Sequence, residues 1–199
     1  MPRTARIGLL AALLAVTPAW AAAQDEAGAP AASFDADGYR TARYRSPVTS
    51  DIAPAQRMAI DTALSLGPGV DALFLDVMPT EGAVRDPSSG TWLLSARHET
   101  IPGAQWHPET GRAPVDGVLW TALEAAIADA RRDRPDLPVI VFCRADCWMS
   151  WNAARRLAAG GISNTFWLAE GTDGWHAAGR PLVTAIPVAV PAPRCKRGR

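Results

Sequence analysis

Two of the three cysteines in this chain, Cys143 and Cys147, stand four residues apart in the stretch VIVFCRADCWMSWNAARRL, residues 139–157. A run of β-branched and apolar residues leads into the first, and an alanine-rich segment of helical character follows the second. Such a pair can attack sulfur as a thiolate and can form a disulfide reversibly. A strand handing over to a helix favours that chemistry. The first N–H groups of a helix have no partner within it, and a loop curling before them aims several inward, so the place suits an anion. A thiol held there has its pKa lowered, each unit being worth about 1.4 kcal/mol to the charged form. On this reading Cys143 is an exposed thiolate in an amide cradle formed by Arg144, Ala145, Asp146, Trp148, Met149 and Ser150. Arg144 adds positive charge, Asp146 opposes it or caps the helix, and the helix begins near Met149 or Ser150.

Plainer readings compete. Free cysteine is among the most buried residue types, so Cys143 alone would be read as inert core. Its strand-end position and the second thiol tip the balance toward function. Cys147 is either a resolving thiol or the partner of Cys143 in a structural disulfide. The tight C-x3-C loop would strain that disulfide and make it labile, so both readings leave a redox-active pair. Two thiols are too few for a metal centre, and His98, His107 and His176 are scattered, so neither a metal nor a cofactor is expected. Trp148 and Trp151 flank the site and serve packing or binding equally well. Trp106, Trp167 and Trp175 are assigned to the core.

The elements around the pair follow from pattern. AQRMAIDTALSL, residues 55–66, spaces Met58, Ala59, Ala63 and Leu66 as an amphipathic helix. ALFLDVMP, residues 72–79, is a buried strand ended by proline. Residues 80–100 read as a long loop, and residues 101–108 as a turn and short strand. VLWTALEAAIADARRD, residues 118–133, is a helix with Leu119, Leu123, Ala126, Ile127 and Ala130 on one face. Residues 139–143 and 164–171 are further strands, Gly160 and Gly161 stop the intervening helix, and residues 172–181 read as a turn. Alternating strands and helices define an α/β domain with a central, mostly parallel sheet flanked by helices. In such sheets ligands meet the carboxyl ends of strands, which is where Cys143 lies.

Length allows one domain plus extensions in 199 residues, and a formal net charge of zero argues against nucleic acid or an anionic membrane as a partner. Residues 1–23 have two arginines, an apolar centre and small residues before Ala21 and Ala23, the pattern of a secretory signal peptide. The apolar centre is too short for a stable membrane anchor. The expected organisation is a signal at 1–23, a disordered spacer at 24–37, a domain at 38–185 and a mobile, proline-rich basic tail at 186–199. Export, most simply to a bacterial periplasm, permits disulfides and leaves one of three thiols over, Cys195 being the candidate.

LFLDVMP, HETIPGAQW, VIVFC with its loop and Ala-Ala helix, and NTFWLAEGTDGWHAAGRPL together resemble the rhodanese-like domain over about residues 50–183. CRADCWMSWNAA and EGTDGW are similar to a narrower group, the periplasmic rhodanese-like proteins associated with pyrroloquinoline-quinone-dependent catabolism and named for a CXXCW motif. The resemblance implies that Cys143 is the nucleophile and carries sulfane sulfur as a persulfide. It also implies that the amides of 144–149 cradle that sulfur, that Ser150, Ala153 and Ala154 start the helix behind it, and that Asp76 is the structural strand-end acid. Active members commonly close a six-residue loop with arginine. Here seven residues run from Cys143 to Met149, and Met149 cannot give the bidentate hydrogen bonds of arginine. Phosphatase and arsenate reductase activities are therefore not expected, and ordinary thiosulfate transfer is disfavoured too. The leading expectation is sulfur transfer or disulfide exchange by Cys143, with Cys147 resolving the product. The alternative is a non-catalytic module for a periplasmic quinoprotein dehydrogenase or its cytochrome.

Overall fold

The structure, a computed structural model, describes residues 33–192. The expected signal, most of the spacer, Cys195 and the basic end of the tail lie outside those residues. In chain order the elements are β1 (Gln56–Met58), α1 (Ile60–Leu64), β2 (Leu73–Asp76), β3 (Val84–Arg85), β4 (Trp92–Leu93), β5 (Glu99–Thr100) and β6 (Gln105–Trp106). They continue with α2 (Gly117–Ala130), β7 (Val139–Phe142), α3 (Trp148–Ala159), β8 (Thr165–Leu168), α4 (Gly171–Ala177) and β9 (Val183–Thr184). Strands β1, β8, β7, β2 and β6 lie side by side in that order, and every pairing in this sheet is parallel. None of the described helices is long and apolar enough to cross a membrane.

Successive side chains of a strand point to opposite faces, and here each face has its own core. Leu73, Leu75, Val77, Val139, Val141 and Cys143 share one cluster with Leu123 and Ile127 of α2 and Met149, Ala153 and Leu157 of α3. Phe74, Ile140, Phe142 and Leu168 share the other with Ala63 of α1 and Trp175 of α4. The α/β expectation therefore holds, as a three-layer sandwich with the central strand buried on both faces.

Several local expectations are corrected. Residues 55–66 are not one helix. Gln56–Met58 pair with Phe166–Leu168 at the sheet edge, Ala59 is extended at φ −71° and ψ 144°, and only Ile60–Leu64 is helical. Tertiary pairing overrides a periodicity shared by short helices and strands. Residues 80–100 are an ordered ribbon, with Val84 opposite Leu93 and Arg85 opposite Trp92. Its turn is tied by Asp86, which accepts from Ser88 N, Ser88 Oγ and Ser89 Oγ. Residues 171–177 form a helix rather than a turn. The expected tail is part of the fold as far as it is described: Val188 N donates to Trp106 O and Val190 N to Gly90 O, and Val190 is buried. At the other end the folded part begins before residue 38, with Phe34 set edge-on to Trp148.

The helix stops are those of the sequence. Gly161, at φ 90°, donates to Ala158 O while Ile162 N reaches Leu157 O, the paired closure that a left-handed residue after a helix allows. Helix α2 starts at Asp116, whose Oδ1 accepts from Val118 N at 2.8 Å and Leu119 N at 3.3 Å. Asp116→Ala is expected to cost about 1 kcal/mol, read from the midpoint of urea unfolding at unchanged slope.

Candidate active site: a thiol pair under a strap

Strand parity decides where Cys143 goes. Residues 139, 141 and 143 face α2 and α3, so the thiol emerges beneath the start of α3 and is fully buried. The chain then turns through Arg144, Ala145 and Asp146, the last at φ 52° in the left-handed region. Cys147 is the residue that caps α3, extended at φ −127° and ψ 113°. The helix thus begins at Trp148, one or two residues earlier than expected, and Asp146 is an exposed turn residue rather than the cap.

Two neighbours clamp this loop. On one side Thr172 N donates to Cys143 O at 2.9 Å, and Arg144 pairs with Gly171. Gly171 has φ 52°, and a Cβ there would sit 2.2 Å from Cys143 O, so only glycine fits. On the other side the segment Tyr44–Ser46 lies antiparallel across the loop. Trp148 N donates to Tyr44 O at 2.8 Å and Ser46 N to Asp146 O at 3.0 Å. Asn152, fully buried on α3, anchors this strap. Its Oδ1 accepts from Arg40 N, and its Nδ2 donates to Arg40 O and Gly111 O. Arg40 also stacks over Phe34 and Trp148. Trp148 and Trp151 are consequently packing residues, buried and edge-on to each other, as are Trp106, Trp167 and Trp175.

The expected exposure of Cys143 is overturned, because the residue is fully buried, and the cradle expected around it is divided. Cys143 Sγ donates to Cys147 Sγ at 2.7 Å. Burial, that hydrogen bond and the nearby negative groups Cys147 and Asp76 push the Cys143 thiol well up; only the Arg144 amide favours its anion. Cys147 moves the other way. The hydrogen bond from Cys143, the amides of Met149 and Ser150 and the charge of Arg144 hold its thiol below the ordinary value, against its own burial. Helix N-terminal amides and a cation are what lower a thiol's pKa. They serve the second sulfur because it, and not the first, stands at the helix start. Two of the other amides have partners of their own: Ala145 N donates to Asp173 Oδ2 and Trp148 N to Tyr44 O. Ser150 also has a structural task, accepting from the buried Trp167 Nε1 at 3.0 Å.

A cleft of about 410 Å3 opens onto Cys147, with Met78 and Met149 on its walls and Arg43, Arg45, Arg112 and Arg144 around it. Cys143 does not line it. Arg112 is paired with Glu109. Arg43, Arg45 and Arg144 have no acidic partner among the described residues, and the buried Nε of Arg144 has no hydrogen-bond partner. A second cleft of about 210 Å3 is lined by Met78, His98, Trp106 and Arg144 but by neither cysteine.

Asp76 is fully buried and structural, as expected. It accepts from Met78 N, His98 Nε2 and Thr100 Oγ1. His107 is a packing residue whose pKa burial lowers to about 4. Sequence reasoning missed Met78, whose Sδ lies 3.5 Å from Cys143 Sγ, and it missed the strap and Asn152. Met78 follows β2, a neighbour of β7 in the sheet. Adjacent parallel strands ending together would have shown it to be near.

No family model and no curated protein matches the chain.

Proposed function

We propose that this is an exported, rhodanese-like thiol enzyme that exchanges disulfides, with Cys147 attacking and Cys143 resolving. The observation that carries this reading is the pair itself: two cysteine sulfurs in contact at the carboxyl end of the central strand, one of them at a helix start beside the cleft. Cys147 Sγ⁻ attacks a disulfide RS–SR′, forming a mixed disulfide and releasing R′S⁻. Cys143 gives up its proton and attacks Cys147 Sγ, expelling RS⁻, which takes a proton. The pair ends as a Cys143–Cys147 disulfide, oxidised by two electrons, and the substrate is reduced to two thiols.

Sulfur transfer uses the same atoms. A donor would leave Cys147 as a persulfide, but Cys143 lies 2.7 Å behind its inner sulfur. Attack there expels hydrosulfide and closes the disulfide, so the persulfide is short-lived and exchange dominates. The arginines of the cleft, opposed on its wall only by Glu81, suit an anionic disulfide or sulfane-sulfur compound.

The rhodanese-like identity rests on the quoted motifs and is compatible with the parallel sheet. Placement in the periplasm rests on the leader pattern. A link to pyrroloquinoline-quinone-dependent alcohol catabolism, with a quinoprotein dehydrogenase system as partner, rests on the CRADCW segment alone. The chemistry uses no cofactor.

Intact-mass analysis of the mature Cys195→Ser protein tests the reading. A disulfide substrate should remove two hydrogens from the reduced chain, and a dithiol reductant should restore them. Thiosulfate should leave no stable added sulfur. A chain that stays reduced under both treatments overturns the proposal and leaves a binding module.

A further inference from the structure

Disulfide exchange leaves one sulfur in this cluster unused. Met78 comes from the end of β2, sixty-five residues before Cys143, and its thioether sulfur touches the inner thiol. Its backbone is fixed on both sides: Met78 N donates to Asp76 Oδ1 at 2.8 Å, and Trp106 Nε1 donates to Met78 O at 2.8 Å. Met78 and Cys147 both line the arginine-rimmed cleft, with Cys143 directly behind them.

We propose that Cys143, Cys147 and Met78 form a three-sulfur binding site for one Cu(I) ion. Thiolate and thioether ligands select soft monovalent copper over the harder divalent ions. The surroundings reinforce that choice. Among the described residues no three His, Cys, Asp or Glu side chains gather to hold a metal. The nearest carboxylate, Asp76, already accepts from Met78 N, His98 and Thr100. A zinc ion would therefore lack its third and fourth protein ligands, whereas a soft ion takes the thioether.

Binding needs both sulfurs as thiolates, so Cys143 gives up its proton, Cys147 gives up any proton it still holds, and no electron moves. Two thiolates, a neutral thioether and Cu(I) carry one net negative charge. Arg144, which already lowers the Cys147 pKa, offsets it. The same arginines disfavour a bare hydrated cation, so the ion is expected to arrive by ligand exchange from a donor complex. The thiol sulfurs must move apart from 2.7 Å to share an ion, and the cleft beside Cys147 gives room. A Cys143–Cys147 disulfide has no free thiolate to offer, so copper loading and oxidation exclude each other.

The test uses the full mature chain, reduced and without oxygen, titrated with Cu(I) against a chromophoric Cu(I) chelator. One ion per chain is expected, unchanged by Cys195→Ser and lost in Cys147→Ser. Met78→Leu keeps shape and apolarity and so keeps the fold. It is expected to weaken binding about tenfold or more, the scale on which changes to a metal's surroundings act. Selenomethionine-labelled protein gives a readout that a packing role would not move: X-ray absorption should show one selenium bound to copper, absent in Met78→Leu. Equal affinity in Met78→Leu, a copper shell without selenium, or binding that depends on Cys195 would each overturn the proposal.

Discussion

Cys147→Ser should lower disulfide-exchange turnover by about a thousandfold or more, the scale on which enzymes lose an attacking nucleophile. Cys143→Ser should instead stop after the first step and accumulate a mixed disulfide on Cys147. The asymmetry follows from position. Cys147 is the N-cap residue of α3, where the helix-start amides and Arg144 favour its anion, and it borders the cleft. Cys143 is enclosed and pushed toward the neutral thiol. Its lowered pKa means that Cys147 holds fewer protons folded than unfolded, so its contribution to stability is present above the unfolded pKa and is lost as pH falls through the folded one. Alkylation should therefore label Cys147 first, with a pH profile whose inflection lies below that of a free cysteine. Mixed disulfide accumulating on Cys143 in the Cys147→Ser protein would reverse the assignment.

Asn152→Ala should destabilise the fold by about 3 kcal/mol, because it strands Arg40 N, Arg40 O and Gly111 O after removing three hydrogen bonds. Both polar atoms of the side chain are used at full burial, so the loss leaves buried groups unpaired. The loss falls on the junction between α3 and the segment carrying Tyr44–Ser46. Cys147 should accordingly be alkylated faster in this variant at temperatures where the sheet remains folded. Chemical denaturation gives the first quantity and mass-resolved labelling the second. A variant as stable as the parent would show that the strap is held elsewhere.

Parts of this were legible in the residues. Apolar runs of strand length at 72–77, broken only by Asp76, and at 139–143 mark β2 and β7, because a strand covered on both faces is apolar at nearly every position. The face of Leu119, Leu123 and Ile127 marks α2, and Gly160–Gly161 marks the end of α3. Short elements were less legible. Met58, Ala59 and Ala63 fit a helix as well as a strand followed by a single turn, and only the pairing of Gln56–Met58 with β8 settles it.

For the site, sequence alone determined that two thiols meet at the carboxyl end of a buried strand where a helix begins, because local pattern fixes both elements and the loop between them is short. Tertiary structure decided which thiol is enclosed and which stands at the helix start beside the cleft. Alternation along β7 puts residue 143 on the face that α3 covers, and the three-residue turn Arg144–Asp146 places residue 147 at the start of that helix. It also brought in Met78, Tyr44–Ser46 and Asn152: Met78 meets Cys143 across 65 positions of chain, and Asn152 meets Gly111 across 41 and Arg40 across 112. Such contacts arise when sheet strands align and helices dock, and no local periodicity encodes them.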